Sequence, residues 1–145
     1  MKTINDSKLY LYFIIITFCI GIILGLIFSY SAFIVEPEIK ELILSEDNID
    51  ENLKKAYQKL KDPQIFARYE NFDFHAVSIK SIINVYDKKL ETNEEFSKND
   101  RIYLQILLNR RELGSLLTRN TMIFFFLLSL LGSAFYIYEL KKSKE

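Results

Sequence analysis

The 145-residue chain has one cysteine and one histidine, and its 19 basic and 19 acidic residues cancel. A single Cys closes no disulfide within the chain, and a Cys/His metal cage has no ligands to draw on. Charge balance also excludes the broad electrostatic grip on nucleic acid, which needs a basic excess on one face. With only four glycines, glycine-rich phosphate loops lack raw material. No P-loop, dinucleotide turn or H-E-x-x-H motif occurs. The expectation is a protein without a cofactor and without nucleic acid as a partner.

Half of the residues are apolar, and they gather in one run near each end. The first run, Leu9 to Val35, holds no charge and is broken only by Thr17, Ser29, Ser31 and the small residues Cys19, Gly21 and Gly25. As a helix it would reach roughly 40 Å against about 30 Å of hydrocarbon, enough to span with tilt. The second run, Thr121 to Tyr138, would reach about 27 Å. Tyr10 and Tyr12 open the first run, and Tyr136 and Tyr138 close the second. In a two-span hairpin these four amphipathic rings fall on one membrane face. The competing reading of the first run is a cleaved signal peptide, with Lys2 and Lys8 before it and Ser29 or Ser31 near a cleavage site. The run is much longer than an h-region of about 7 to 15 residues. Cys19 follows bulky Phe18, does not fit a lipidation signal, and is expected to be a buried thiol.

Residues 36 to 120 carry helical periodicity. Pro37 suits the first turn of a new helix, with Glu38 and Glu41 favouring its positive end, so a kink is expected there. Ser45 to Asp50 is turn-like, and Asn48 with Glu51 has capping spacing. Ile49, Leu53, Ala56, Tyr57 and Leu60 recur at helical intervals until Asp62-Pro63. A third series runs through Ile65, Phe66, Tyr69, Phe72, Ala76, Ile79, Ile82, Ile83, Tyr86 and Leu90. Between Glu91 and Asp100, Thr92 with Glu95 and Ser97 with Asp100 again have capping spacing. From Arg101 onward the stripe Ile102, Ile106, Leu113 and Leu117 predicts a helix continuous with the second span, Gly114 being its one soft point. The fold class expected is therefore an all-α membrane protein: an N-terminal tail (1–8), a transmembrane helix (9–35), a small helical extramembrane domain (36–120), a second transmembrane helix (121–138) and a basic C-terminal tail (139–145).

The tails together carry a net charge of +2, whereas residues 36–120 hold 14 basic and 16 acidic residues. The positive-inside rule then places both termini in the cytoplasm. The weight of Ile, Lys, Asn, Phe and Tyr suggests an AT-rich coding sequence, as in many bacteria, so the membrane expected is the bacterial inner membrane.

No catalytic residue is assigned. His75, near Asp73, has no Ser or Cys nucleophile motif beside it. Glu94-Glu95 and Asp47 with Asp50 lack EF-hand spacing and read as solvated charge. Arg110, Arg111 and Arg119 read as anchors flanking a span rather than as a lipid-phosphate site. The most specific feature is the ridge Thr17, Gly21, Gly25 and Ser29, at intervals of four, with Ser129 and Ser133 at the same interval in the second run. Small residues let helices approach closely in lipid, where packing drives association. No ionisable residue interrupts either run, which argues against an ion path. These features imply a non-enzymatic interaction or assembly subunit of a membrane complex, whose partners are the bilayer and other membrane proteins or itself. The second expectation is a sensor or regulatory subunit whose helical domain binds a ligand or partner and shifts the spans.

Overall fold

The computed structural model describes residues 6–61 and 79–142. The protein is all-α, with no strand among the described residues. Helix α1 (Asp6–Tyr30) passes through a π-helical turn (Ser31–Val35) into α2 (Glu36–Leu44). Then come α3 (Ile49–Lys61), α4 (Ile79–Glu91), a 3₁₀ turn (Lys98–Asp100) and α5 (Arg101–Lys142). Two helical stretches, Lys8–Leu44 and Lys98–Lys142, are long and apolar enough to cross a membrane. The chain divides into two compact units, one of Met1–Phe28 with Thr118–Glu145 and the other of Ser29–Leu117. His75, Asp73, Pro63 and the apolar residues Ile65 to Ala76 lie outside the described residues.

In the first unit, α1 and the C-terminal part of α5 pack antiparallel. Tyr10 stacks on Phe135, with ring centroids 5.9 Å apart and planes at 19°, and Phe18 meets Phe126 edge-on at 5.7 Å. The outward faces are Leu, Ile and Phe: Leu26 and Leu130 are each 67% exposed. Cys19 lies on this exposed side, not among buried groups as expected. Its helical phase differs from that of Gly21 and Leu24, which face inward.

The second unit is a small helical bundle. Pro37 has no N–H to return to the carbonyl four residues back. The helix absorbs this by widening: the Glu36 N–H donates to the Ser31 carbonyl, five residues back, and Pro37 then sits in the first turn of α2. Acidic Glu36 and Glu38 lie in that turn, where the peptide dipoles favour negative charge. The expected break is thus a wide turn within a continuing helix. Between α2 and α3 the chain turns at Asn48, whose φ of 45° is left-handed. Asn52 ties the turn down, its Nδ2 donating to the Asp47 carbonyl at 2.8 Å and to Ser45 Oγ at 3.0 Å.

Helix α4 ends at Asn93, with φ of 54°. The Asn93 N–H donates to the Leu90 carbonyl at 3.2 Å and the Glu94 N–H to the Lys89 carbonyl at 2.9 Å. This pairing is a Schellman cap, which needs one left-handed residue. Thr92 belongs to that helix end, its Oγ1 donating to the Lys88 carbonyl at 2.9 Å, so its capping-box spacing with Glu95 goes unused. Ser97 and Asp100 do form the reciprocal box that starts the next helix.

The core joins Ile39 and Ile43 of α2, Leu53, Ala56, Tyr57 and Leu60 of α3, Ile79, Ile82 and Tyr86 of α4, Phe96, and Leu104, Leu107 and Leu108 of α5. Tyr86 is its aromatic centre, 5.5 Å from Tyr57 and 5.2 Å from Phe96 between centroids. The stripe expected to bury α5 is corrected. Ile102, Leu113 and Leu117 are exposed, Ile106 is half-buried, and the face that enters the core is Leu104, Leu107, Leu108, Arg111 and Ser115. Both faces of this helix are apolar, so periodicity alone did not decide between them.

Candidate functional site

The small-residue ridge lies in the first unit, where α5 fills it. A side chain on Gly21 would place its Cβ 2.8 Å from the Phe126 ring, and one on Gly25 would come 3.0 Å from Met122 Sδ. The missing side chains are what let the aromatic and thioether groups seat against α1. Thr17 is buried and its Oγ1 donates to its own helix, at 2.8 Å from the Phe13 carbonyl. Ser29, in the second unit, is exposed. Steps of four advance about 40° beyond each full turn, so Ser29 has rotated about 120° from Thr17.

On the α5 side, Ser129 is buried and its Oγ lies 3.5 Å from the Ile14 carbonyl, while Ser133 Oγ donates to the Ser129 carbonyl at 2.9 Å. Sequence reasoning missed Gly132. A Cβ there would meet Phe13 Cδ1 at 2.9 Å and Ile14 Cγ1 at 3.0 Å, two side chains of α1 at once. Its place three residues after Ser129 and next to Ser133 was the available signal. Beside it lies an apolar groove of about 470 Å³, lined by Leu9, Tyr10, Phe13, Leu128, Leu131, Gly132 and Phe135.

In the second unit the polar groups serve one another. Asp100 accepts from the Tyr86 hydroxyl at 2.6 Å, from Lys89 Nζ at 2.9 Å and from the Ser97 N–H at 2.7 Å. Burial works to raise the Asp100 carboxyl, and these three donors outweigh it, holding it below the usual carboxylate range. Burial, followed by that same contact with Asp100, pushes the Tyr86 phenol well above its ordinary value. Asp87 is likewise held low despite burial, by Lys61 and the Tyr57 hydroxyl. Asp50 is lowered first by the Phe96 N–H at 2.7 Å and then by Lys54. Glu46, bridging Lys98 and Arg101, is lowered to about 2. The α4–α5 cleft of about 390 Å³ is lined by Tyr86, Lys89 and Asp100 together with Ser81, Ile82, Val85 and Tyr103. Of its polar groups, Tyr86, Lys89 and Asp100 are already committed to each other.

Two further placements depart from the sequence reading. Arg111, expected as a surface anchor, is buried and its Nη1 reaches the Lys59 carbonyl at 3.3 Å, in the last turn of α3. It completes a helix end instead of facing headgroups. Ser31 and Ser115, both buried, meet at 3.1 Å between their hydroxyls, and both donate to the Glu36 carboxylate. This polar lock joins the start of α2 to α5 and was not anticipated. Among the described residues no three His, Cys, Asp or Glu side chains come together to hold a metal ion.

No family model, curated protein or solved structure matches the chain. The chemistry available is therefore that of the side chains above: close helix packing in one unit, and interlocked ion pairs and aromatic rings in the other.

Proposed function

We propose that the protein is a membrane-anchored, non-enzymatic helical subunit that works by binding other membrane proteins or copies of itself. In this reading residues 9–35 and 121–138 cross the bacterial inner membrane. Both basic tails stay in the cytoplasm, and the intervening helical domain lies outside. One observation carries it. The two apolar helices of the first unit interlock through Gly21, Gly25 and Gly132, yet leave Ile15, Ile16, Ile23, Phe124, Leu127 and Leu131 between 50% and 58% exposed. Water would penalise such a surface at roughly 25 cal/mol per Å², whereas lipid tails solvate it without cost. In the second unit Glu46, Asp50, Asp87 and Asp100 are tied into ion pairs within the fold, which supports a structural use of these groups over a catalytic one.

The test has two parts. With Cys19→Ala as background, Lys98→Cys should react with an impermeant thiol reagent in intact cells, and Lys142→Cys only after lysis; the reverse pattern refutes the orientation. After gentle detergent extraction the chain should elute in an assembly larger than a monomer in its micelle. A monomer under all conditions refutes the assembly role.

A further inference from the structure

The apolar groove of the first unit holds about 470 Å³, within the roughly 300–1,000 Å³ of pockets that take small ligands. Gly132 is buried at its floor, and Leu9, Leu131 and Phe135 rise as lips, 59%, 56% and 54% exposed. Further along α5 the chemistry changes. Glu139 follows Gly132 by seven residues and Lys142 follows Phe135 by seven, so each stands about 10 Å beyond its predecessor and within about 20° of the same line. Three residues apart, the two are neighbours on one face of the helix. Yet Glu139 and Lys142 make no ion pair or hydrogen bond with each other or with any other described residue, whereas Glu46, Asp50, Asp87 and Asp100 are all paired. Tyr138, 63% exposed, lies between them, where an amphipathic ring suits the headgroup level.

We propose that the groove holds one acyl chain of a phospholipid whose headgroup carries a primary ammonium beyond its phosphate, with the phosphate at Lys142 and the ammonium at Glu139. The inference rests on the reading that both apolar helices lie in the bilayer, and deepens it by naming the lipid. Two features select this occupant. The lips are bulky, and close packing of helices in lipid relies on small residues, so a helix from another chain is held off while a flexible acyl chain can lie between Leu131 and Leu9 over Gly132. The mouth carries one charge of each sign, which matches a headgroup carrying both. A purely anionic headgroup would leave Glu139 facing like charge, and a quaternary ammonium has no N–H to donate to its carboxylate, whereas a primary ammonium has three.

The experiment mixes the full chain in mild detergent with phosphatidylethanolamine, phosphatidylglycerol or phosphatidylcholine of identical acyl chains, and counts retained lipid by native mass spectrometry. Phosphatidylethanolamine should be retained about five-fold over the other two, the effect of roughly one charge at a membrane surface. Lys142→Gln should lower retention of all three lipids, and Glu139→Gln should erase the preference. Lys141→Gln removes the same charge about 120° away from the line of Phe135, and should change neither. Leu131→Phe, which fills the groove from its lip, should lower retention of all three. Equal retention of the three lipids by the unaltered chain overturns the proposal, as does a Lys141→Gln effect equal to that of Lys142→Gln, or retention undiminished in Leu131→Phe. Dimers that Leu131→Phe dissociates, with no lipid retained, put a second copy in the groove and overturn it too. If thiol labelling of Lys98→Cys and Lys142→Cys follows the expected pattern while the lipid preference fails, the site is refuted and the membrane reading stands. Reversed labelling with the preference intact refutes the orientation and supports the site.

Discussion

The Tyr86 hydroxyl donates to Asp100 Oδ1 at 2.6 Å, and Lys89 Nζ reaches the same oxygen at 2.9 Å, so one carboxylate oxygen ties α4 to the turn that starts α5. Tyr86→Phe removes the phenolic donor and leaves a buried carboxylate one partner short. The expected loss is about 1–3 kcal/mol of unfolding free energy. Asp100→Asn should cost more, because it removes charge from the pair with Lys89 and also disturbs the Ser97 box. Chemical denaturation of the full chain in detergent, followed by circular dichroism, checks this ordering.

Stability should fall in acid. Asp50, Asp87, Asp100 and Glu46 all have carboxyls lower in the folded chain than in the unfolded one. The unfolded state then binds more protons as pH drops, so the stabilisation is complete above about pH 5 and is lost below the unfolded carboxylate values. For Glu46 the loss extends down to about pH 2. Tyr86 acts at the other extreme: its raised phenol contributes fully below the unfolded value of 10.0 and loses that contribution in stronger alkali. Thermal unfolding across pH 2–11 should show a broad plateau with both shoulders. Asp100→Asn should flatten the acid shoulder.

The three packed glycines of the first unit should rank by what a methyl group would strike. Gly25→Ala meets the mobile end of Met122 and should be mild, Gly21→Ala presses on the Phe126 ring, and Gly132→Ala strikes Phe13 and Ile14 together. Overpacking of this kind costs about 1–3 kcal/mol. The amount of sodium dodecyl sulfate needed to disrupt the helix pair should fall in the order Gly25→Ala, Gly21→Ala, Gly132→Ala. Equal effects at all three would contradict the packing.

Two leucines on one helix should behave oppositely. Leu107 is fully buried and Leu113 is 45% exposed. Leu107→Ala should therefore cost about 2–5 kcal/mol in folding stability, whereas Leu113→Ala in a monomeric preparation should stay within about 0.5 kcal/mol. Similar losses at both positions would mean that both faces of α5 are buried, and a reversed ranking that it is buried by its other face.

These contrasts mark what could be read without coordinates. Helix α3 was legible because Leu53, Ala56, Tyr57 and Leu60 are its only large apolar row, with lysines elsewhere around the helix, so one face had to enter a core. Helix α5 was legible as a helix and not in its orientation, since Leu104 and Leu107 compete with Ile102 and Leu113 on equal terms. Tertiary packing settled that choice. Gly21 and Gly25 stood out through their regular interval, whereas Gly132 did not share it. The lock of Ser31, Glu36 and Ser115 was out of reach because Ser115 lies 79 residues from Glu36, and nothing local announces such a pairing.

The four glycines all sit inside helices, while the left-handed turns are made by Asn48 and Asn93. This inverts the usual division of labour, in which glycine serves where φ is positive. The tolerance map of the chain is inverted with it. Asn48→Gly and Asn93→Gly enter conformations that glycine adopts freely and are substitutions the turns should accept, even welcome. In the paired apolar helices the smallest residue is the one that cannot be enlarged. An engineer seeking a sturdier variant should add glycine at the turns and guard it in the helices.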